Sequence, residues 1–341
     1  MTHNGEPTVG ETGERGVLER VLGRFTPVAA ASVGPGDDCA VLDMGGGLVV
    51  TSDTMIEGPD FRLAWQSGFE LGWKLAATNL SDVAAMGARP IALTVSLAVP
   101  ISTPVVLLEQ ISEGIDAACQ SLAPGCGVVG GDLSRAPVLT AAITALGDLD
   151  GAAPVLRTGA TVGDVVAYAG ELGLAGLGLS LLFAEAADPD GTERAEAIPQ
   201  LWSRHSAALA AQLAPTPPIP LGVAAARAGA TAMLDVSDSL SIDADRLARA
   251  SSVAVEFDGG LLEAAFGVQH EVAVPLEAML TGGEDHGLLA TFPRDTPLPA
   301  SFRKIGAVIA SDDRSAPGVR LDGAVFEPRG WDPYTVLPPG S

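Results

Sequence analysis

The chain has 341 residues, of which 47% are hydrophobic, so it is long enough to bury a large core and to form two domains rather than one. Its 42 acidic residues outnumber its 19 basic residues, and the formal net charge at pH 7 is -23. Nucleic acids and membrane surfaces are therefore not expected as partners, because proteins bind both through an excess of Lys and Arg.

The cysteines and the hydropathy indicate a cytoplasmic protein. The three cysteines show no C-x-x-C spacing, and an odd number suits neither a disulfide framework nor a zinc site. The amino-terminal segment is polar, and the longest apolar runs are too short for a membrane span. We expect reduced cysteines and a cytoplasmic location.

The first half of the chain alternates strand and helix signals. We predict a disordered tail over residues 1–14 and an N-terminal α+β domain over 15–150. Within this domain the patterns predict helices over 16–25, 68–86 and 105–121, a hairpin formed by strands 40–42 and 48–50, and strands over 91–99, 127–130 and 138–146. The glycines at 45–47 suit the turn of the hairpin.

The predicted helix over 68–86 has two distinct faces. Leucines at helical spacing form the apolar face, and the other face carries a polar stripe of Lys74, Thr78, Ser81 and Asp82. A carboxylate near the carboxyl end of a helix is unfavourable because the helix dipole is negative there. A bound cation beside Asp82 would account for its position.

A segment rich in Gly, Ala and Pro over 151–164 marks the start of a C-terminal α+β domain, predicted to extend over 151–341. The patterns there predict strands over 165–169, 231–236, 253–257 and 288–292 and helices over 174–183 and 240–251. A charged segment at 184–198 and a proline-rich break at 215–220 separate these elements.

Five acidic motifs lie where apolar runs end: Gly36-Asp37-Asp38, Thr51-Ser52-Asp53, Ser81-Asp82, Gly130-Gly131-Asp132 and Asp235-Val236-Ser237-Asp238. Carboxylates are costly to cluster unless a cation lies among them, and Mg²⁺ prefers oxygen ligands of this kind. Taken singly, the motifs ending in Asp53, Asp132 and Asp238 are better explained by a turn or a helix cap. Lysine occurs only at positions 74 and 304, so a phosphate substrate would be neutralised mainly by arginine, backbone amides and bound cations, of which we favour the cations. Together the motifs indicate an enzyme that binds metal and phosphate.

Other candidate motifs are weaker. Arg157 could reach a nucleotide phosphate at an interdomain cleft, or it could be an exposed linker residue. The glycines over 170–178 follow a predicted strand, but their spacing is not G-x-G-x-x-G, and no G-x-x-x-x-G-K-[ST] occurs. No histidine pair has ligand spacing, and no G-x-S-x-G is present. Dinucleotide, P-loop, zinc and hydrolase-triad sites therefore lack support.

The ordered motifs resemble those of the thiamine-monophosphate kinase family, which belongs to the aminoimidazole ribonucleotide synthetase-like superfamily. The resemblance extends from about residue 16 to 334. The strings that carry it are Val33-Gly34-Pro35-Gly36-Asp37-Asp38-Cys39-Ala40-Val41, Thr51-Ser52-Asp53-Thr54, Asn79-Leu80-Ser81-Asp82-Val83-Ala84-Ala85-Met86-Gly87-Ala88, Gly130-Gly131-Asp132, Asp235-Val236-Ser237-Asp238 and Thr281-Gly282-Gly283-Glu284-Asp285.

The resemblance implies ATP-dependent transfer of a phosphoryl group to thiamine monophosphate. It also implies a two-domain α+β fold whose N-terminal sheet pairs with that of a second subunit to form a barrel, and hence a homodimer. The implied ligands of several Mg²⁺ ions are Asp38, Thr51, Ser52, Asp53, Asp82, Asp132, Asp235 and Asp238. The implied ATP contacts are Gly131, Asp132, Arg157 and Ser237, and the implied thiamine contacts are Glu284 and Trp331. The acceptor is a phosphate oxygen already ionised at neutral pH, so neither a general base nor a covalent intermediate is needed.

Three positions depart from the family pattern. Asp60, assigned to the substrate-binding set, stands where the family commonly has His. Ser239 replaces a usual Gly, and His286 replaces a usual Tyr. The open alternatives are a kinase or ligase of this superfamily acting on another small phosphate or carboxylate, and an inert sensor that binds Mg²⁺ and nucleotide. The absence of a C-terminal Cys argues against a hydrogenase-maturation dehydratase, and the location of Cys39 inside a metal motif argues against a selenophosphate synthetase.

Overall fold

The structure, a computed structural model, describes residues 7–33, 41–42, 44–311 and 317–331. The chain divides into two compact units. The first comprises Met1–Val83, Arg89–Ala152 and Glu193–Ala195, and the second comprises Ala84–Ala88, Ala153–Thr192 and Glu196–Ser341. A short segment from each half of the chain thus belongs to the unit formed mainly by the other half. A single boundary at residue 150 therefore does not describe the division.

The first unit contains a four-stranded sheet in the order β3-β6-β4-β5 and a separate two-stranded pair, β1-β2. Strands β4 and β5 run parallel, and the other neighbours in the four-stranded sheet run antiparallel. The elements are α1 (Val9–Leu22), β1 (Ala31–Val33), β2 (Val41–Leu42), β3 (Leu48–Ile56), α2 (Gly68–Ala85), β4 (Arg89–Val99), α3 (Val105–Leu122), β5 (Val128–Arg135) and β6 (Thr140–Asp148). The two long helices, α2 and α3, confirm the predicted helices to within one residue at each end.

Helix α1 begins inside the segment predicted to be a disordered tail. Thr8 and Glu11 form a capping box, in which the Thr8 N–H donates to the Glu11 carboxylate over 2.8 Å and the Glu11 N–H donates to the Thr8 hydroxyl over 3.3 Å. Two amide groups that a helix start leaves unsatisfied are satisfied in this way. The prediction of a tail is therefore wrong for residues 9–14.

The predicted hairpin over 40–50 is also wrong. β2 pairs with β1, whereas β3 pairs with β6 along its full length. The glycine loop that precedes β3 is fastened to the end of β6, because the carboxylate of Asp148 accepts N–H bonds from Gly45 and Asp150, each of 2.8 Å. These two bonds, from Asp150 and then Gly45, lower the pKa of Asp148.

The second half of the described chain contains a seven-stranded sheet in the order β15-β14-β9-β13-β7-β12-β8, and a short hairpin, β10-β11. The elements are β7 (Val165–Ala169), α4 (Leu174–Glu185), a 3₁₀ turn (Ala195–Ala197), α5 (Ile198–Leu213), α6 (Ile219–Arg227), β8 (Ala232–Val236), α7 (Leu240–Ser251), β9 (Ala254–Phe257), α8 (Gly259–Phe266), β10 (Val268–Gln269), β11 (Val272–Ala273), α9 (Leu276–Thr281), β12 (Gly287–Phe292), β13 (Arg303–Ile309), β14 (Gly318–Leu321) and β15 (Ala324–Phe326).

The centre of this sheet is buried on both faces. Along β12, Leu289 belongs to a core that includes α7, while Ala290 and Phe292 belong to a second core that includes α6. All six residues of β12 are buried. A strand covered on both faces reads as a continuous apolar run rather than an alternating one, which is why the sequence predicts β7, β8 and β12 correctly.

Several elements of the second half are absent from the prediction: helices α5, α6, α8 and α9 and strands β10, β11 and β13 to β15. Helix α6 shows one cause, because Pro220 lies in its first turn, where the missing N–H costs nothing, and a proline-rich segment therefore begins a helix there. Within the ranges that the structure describes, no helix is both long and apolar enough to cross a membrane.

Candidate active site

In the first unit, three of the predicted metal ligands meet between β3 and α2. The Thr51 hydroxyl donates to a carboxylate oxygen of Asp82 over 2.8 Å. The main-chain N–H of Asp53 donates to the side-chain oxygen of Asn79 over 3.2 Å, and the Asn79 amide donates to the Leu75 carbonyl over 2.9 Å. Asn79 is buried and joins the strand to the helix, a role that the sequence reasoning missed although the residue lies inside a recognised motif.

Ser52 and Asp132 lie on the opposite face of the same sheet. Successive strand residues alternate between faces, and the register aligns Thr54, Ala142, Ser96 and Asp132 in one row. Ser52 donates to the Ile143 carbonyl over 3.0 Å, and Asp132 accepts a 2.6 Å bond from Ser134. The described geometry therefore divides the predicted ligands of this unit between two faces.

Gly131 is required by close approach of two strands. A Cβ atom at this position would lie 2.0 Å from the carbonyl oxygen of Val95, so only glycine lets β5 run this near to β4. The register places Gly131 in the row of Asp53, one step from Asp132. The sequence predicts the Gly130-Gly131-Asp132 motif at the end of a strand. In the structure the motif lies inside β5.

The donor chemistry of these residues fits magnesium, since carboxylates and a hydroxyl are the oxygen ligands that a hard cation prefers. Asp38 lies outside the described residues. Among the residues that are described, no group of three His, Cys, Asp or Glu side chains lies close enough to hold a metal ion. The metal-binding roles remain predictions.

In the second unit, β8 ends at a loop that carries Asp235, Ser237 and Asp238. Asp235 is buried, and its carboxylate lies 3.4 Å from Nδ1 of the buried His286. His286, at a position where the resemblance predicts Tyr, thus pairs with a proposed metal ligand. The two groups form an ion pair only when the imidazole is protonated.

Asp243 fixes the conformation of this loop. Its carboxylate accepts main-chain N–H bonds from Ser237, Asp238 and Ser239, at 3.1, 3.1 and 3.3 Å. Burial, followed by the charge of Asp235, raises the pKa of Asp243 to about 6 against the opposing effect of Arg246. Asp243 has no contact role in the sequence analysis, where it appeared only as part of a helix.

Asp238 has a cationic partner. Nη1 of Arg246 lies 2.6 Å from an oxygen of Asp238 and 2.7 Å from an oxygen of Asp243. The guanidinium, whose side chain is 44% exposed, therefore compensates two carboxylates at once. The sequence reasoning missed Arg246, whose spacing of three residues from Asp243 on α7 is the signal that could have found it.

The same loop also holds both predicted thiamine contacts. The N–H of Glu284 donates to the Ser237 carbonyl over 2.8 Å, and the N–H of Trp331 donates to the Asp238 carbonyl over 2.9 Å. Glu284 and His286 have left-handed φ angles of 71° and 52°, which cost energy in residues other than glycine and persist only where the surroundings enforce them. Ser237, Asp238, Glu284 and Trp331 are thus brought together at one place.

Two further predicted residues have local partners. Asp60 closes the turn after β3, where its carboxylate accepts the N–H of Ile56 over 2.8 Å. Arg157 is exposed, and its carbonyl accepts a 2.7 Å bond from the Ser251 hydroxyl. The contacts with ATP and substrate assigned to these two side chains remain predictions.

Main-chain N–H groups of the glycine-rich segment after β7 are hydrogen-bonded to a side chain of the protein itself. The N–H groups of Gly173 and Ala175, at the start of α4, donate to the buried carboxylate of Asp285 over 2.5 and 3.0 Å. A helix amino terminus attracts anions, and here an aspartate fills that position.

Comparison with known proteins gives consistent results. The family model for the N-terminal domain of AIR synthase related protein matches residues 36–149. The thiamine-monophosphate kinase of Mycobacterium tuberculosis (strain H37Rv) is 37% identical over 336 residues, covering 96% of this chain and 93% of the relative.

Two solved structures are similar over most of their length. The thiamine-monophosphate kinase of Stenotrophomonas maltophilia K279a has a TM-score of 0.73 at 30% identity, covering 91% of this chain and 97% of that one. AaThiL complexed with AMPPCP and TMP has a TM-score of 0.69 at 29% identity, covering 94% and 97%. The AIR synthase-like fold with mixed helices and sheets is confirmed, and the chain belongs to the thiamine-monophosphate kinase family.

Proposed function

We propose that this protein transfers the γ-phosphoryl group of ATP to the phosphate of thiamine monophosphate, producing thiamine diphosphate and ADP. The observation that carries the proposal is the loop at 235–238, which holds Glu284 and Trp331 through main-chain hydrogen bonds. The relative AaThiL, with AMPPCP and TMP bound, supports the choice of nucleotide and acceptor.

Glu284 and Trp331 suit the thiamine part of the acceptor. Thiamine contains a positively charged thiazolium ring, which a carboxylate attracts electrostatically and an indole face attracts through its π electrons. Asp60 would complete the substrate set. Its anionic side chain would repel the acceptor phosphate unless a cation lies between them, and its bond to the Ile56 N–H draws the carboxylate into the turn.

Lysines can contribute little positive charge at the phosphates, because the chain has only two of them. Mg²⁺ ions, when bound, neutralise the phosphate oxygens and so lower the repulsion between the two substrates. The residues proposed to hold them are Asp38, Thr51, Ser52, Asp53, Asp82, Asp132, Asp235 and Asp238. Gly131, Asp132, Arg157 and Ser237 are proposed to contact ATP. The acceptor oxygen is already ionised, so no side chain need remove a proton from it.

A homodimer is part of the proposal. The outer strand β3 exposes Leu48, Val50 and Ile56 by 54%, 56% and 38% on the face that also carries Ser52 and Thr54. Large apolar side chains grouped on one face of a sheet are typical of an interface. We propose that this face of the four-stranded sheet pairs with the same face of a second copy to form a barrel.

The activity is tested by incubating the purified protein with Mg-ATP and thiamine monophosphate and measuring ADP and thiamine diphosphate. We expect equal amounts of both products. Glu284→Gln removes the charge that faces the thiazolium, so kcat/KM for thiamine monophosphate should fall by about tenfold or more. Glu263→Gln, an exposed carboxylate on α8, is the matched control and should leave kcat/KM unchanged.

Two outcomes would contradict the proposal. ADP formation that requires a different acceptor would indicate a related kinase or ligase. Binding of ATP without turnover on any small phosphate or carboxylate would indicate a nucleotide sensor.

A further inference from the structure

The segment that ends at Trp331 is fastened to the start of α7 by two serines. The Ser239 hydroxyl donates to the Arg329 carbonyl over 2.8 Å, and the Ser241 hydroxyl donates to the same carbonyl over 2.9 Å. The Arg329 N–H in turn donates to the Ser241 hydroxyl over 3.1 Å. Both serines are fully buried, so water does not compete for these bonds.

Gly330 and Trp331 continue the attachment. A Cβ atom on Gly330 would lie 2.2 Å from the Asp238 carbonyl oxygen and 2.6 Å from the Ser239 hydroxyl, so the backbone rests directly on the loop. The Trp331 N–H then bonds the Asp238 carbonyl over 2.9 Å. Three consecutive residues are thus held against the loop that carries Ser237 and to which the Glu284 N–H is bonded.

Helix stability alone does not explain both serines. Ser239 caps α7 by accepting the N–H of Ile242 over 3.1 Å, which accounts for one of them. A serine inside a helix commonly donates to a carbonyl of the preceding turn, whereas Ser241 donates to Arg329, 88 residues away. The ion pair of Arg329 with Glu277 joins two exposed side chains and adds little.

We propose that Ser239 and Ser241 are positioning residues that hold Trp331 in place for the thiamine part of the acceptor, an inference that rests on the function proposed above. They act through the main chain of 329–331 and touch neither ATP nor the acceptor. Loss of the pair should therefore affect recognition of thiamine monophosphate more than recognition of ATP.

The test compares wild type with Ser241→Ala and with the double variant Ser239→Ala, Ser241→Ala. Ser241→Ala keeps the cap of α7 intact and is the deciding variant if the double variant does not fold. Ser112→Ala is the matched control, because Ser112 is equally buried but donates within α3 to the Leu108 carbonyl over 2.8 Å. Steady-state kinetics give KM for each substrate. Acrylamide quenching of Trp331 fluorescence, obtained by difference from Trp331→Phe, reports the segment without any substrate.

We expect Ser241→Ala to raise KM for thiamine monophosphate by about three- to tenfold, as expected for one lost buried hydrogen-bonding group, with KM for ATP nearly unchanged. Quenching of Trp331 should increase, and it should increase further in the double variant. Ser112→Ala should change neither quantity.

Unchanged quenching and unchanged KM in Ser241→Ala and in the double variant would overturn the inference. So would greater quenching without a change in KM for thiamine monophosphate, or an equal rise in KM for both substrates. If wild type does not phosphorylate thiamine monophosphate, the proposed function fails and the role toward the acceptor fails with it, while quenching still decides whether the serines hold Trp331.

Discussion

At the residue scale, single buried polar groups determine where the acidic side chains lie. Asn79 is the best example, because its amide joins the Leu75 carbonyl of α2 to the main chain of Asp53 on β3. Asp243 has the same function in the second unit, where it orders three consecutive N–H groups. Neither Asn79 nor Asp243 has to contact a ligand in order to control the geometry of the residues that are proposed to contact one.

Asn79→Ala should therefore reduce both stability and activity. Its loss leaves the Asp53 N–H without the Asn79 acceptor, which should lower the free energy of unfolding by about 1–3 kcal/mol. Because Asp53 and Asp82 are proposed metal ligands, the Mg²⁺ concentration needed for half-maximal rate should rise. Urea unfolding and a magnesium titration of the rate measure the two effects. An unchanged magnesium requirement would show that Asn79 does not order this group.

The sequence names the proposed site residues but not the hydrogen-bond and ion-pair partners that the structure gives them. Motif order and composition pointed to Asp82, Asp238 and Glu284, but not to Arg246 or to the division of Ser52 and Asp132 from Asp53. Those features depend on strand register and on tertiary contacts between residues far apart in the chain, which a linear pattern does not contain.

At the element scale, helix α4 begins against the carboxylate of Asp285. Helices with a complete apolar face or clear termini, such as α2, α3 and α7, were predictable, whereas α8 and α9, with eight and six residues, are shorter than the window over which helical periodicity can be recognised. The start of α4 has no cap of its own, since the N-cap residue is Gly173. Its cap comes from 110 residues later in the chain.

Asp285→Asn should flatten the dependence of stability on pH. Burial raises the pKa of Asp285 to about 7, from an ordinary 3.8; the Glu171 charge adds to this effect, and the two N–H bonds and His286 oppose it. Between these values the folded protein holds a proton that the unfolded chain has released, so the free energy of unfolding falls as pH rises through the window. Urea unfolding at several pH values should show a shallower decline in the variant. Asp243, whose pKa is also raised, leaves a residual slope.

At the scale of the whole molecule, the prediction concerns assembly. Val50→Asp places a charge beside the exposed Leu48 on β3, so it should shift the proposed dimer to monomer. Val325→Asp changes a valine that is 70% exposed on β15, at the edge of the other sheet, and serves as the control. Light scattering coupled to size-exclusion chromatography measures the mass. A wild-type monomer, or equal behaviour of the two variants, would contradict the proposed interface.

The global division of the chain was only partly accessible from composition. A segment rich in Gly, Ala and Pro marks the main boundary between the units near Ala152. No local sequence pattern indicates that Ala84–Ala88 belong to the second unit and Glu193–Ala195 to the first. In the case of Gly222, a Cβ atom would lie 2.0 Å from the Ala84 carbonyl oxygen, a constraint visible only in three dimensions.

The attachment of Glu284 and Trp331 through backbone atoms has a practical consequence for protein engineering. Since the hydrogen bonds from Glu284 and Trp331 to Ser237 and Asp238 use only main-chain amides and carbonyls, these two bonds do not depend on which side chains stand at 284 and 331. On the proposed assignment of these two residues to the acceptor, substitutions at 284 and 331 should change acceptor preference while the two main-chain hydrogen bonds are retained.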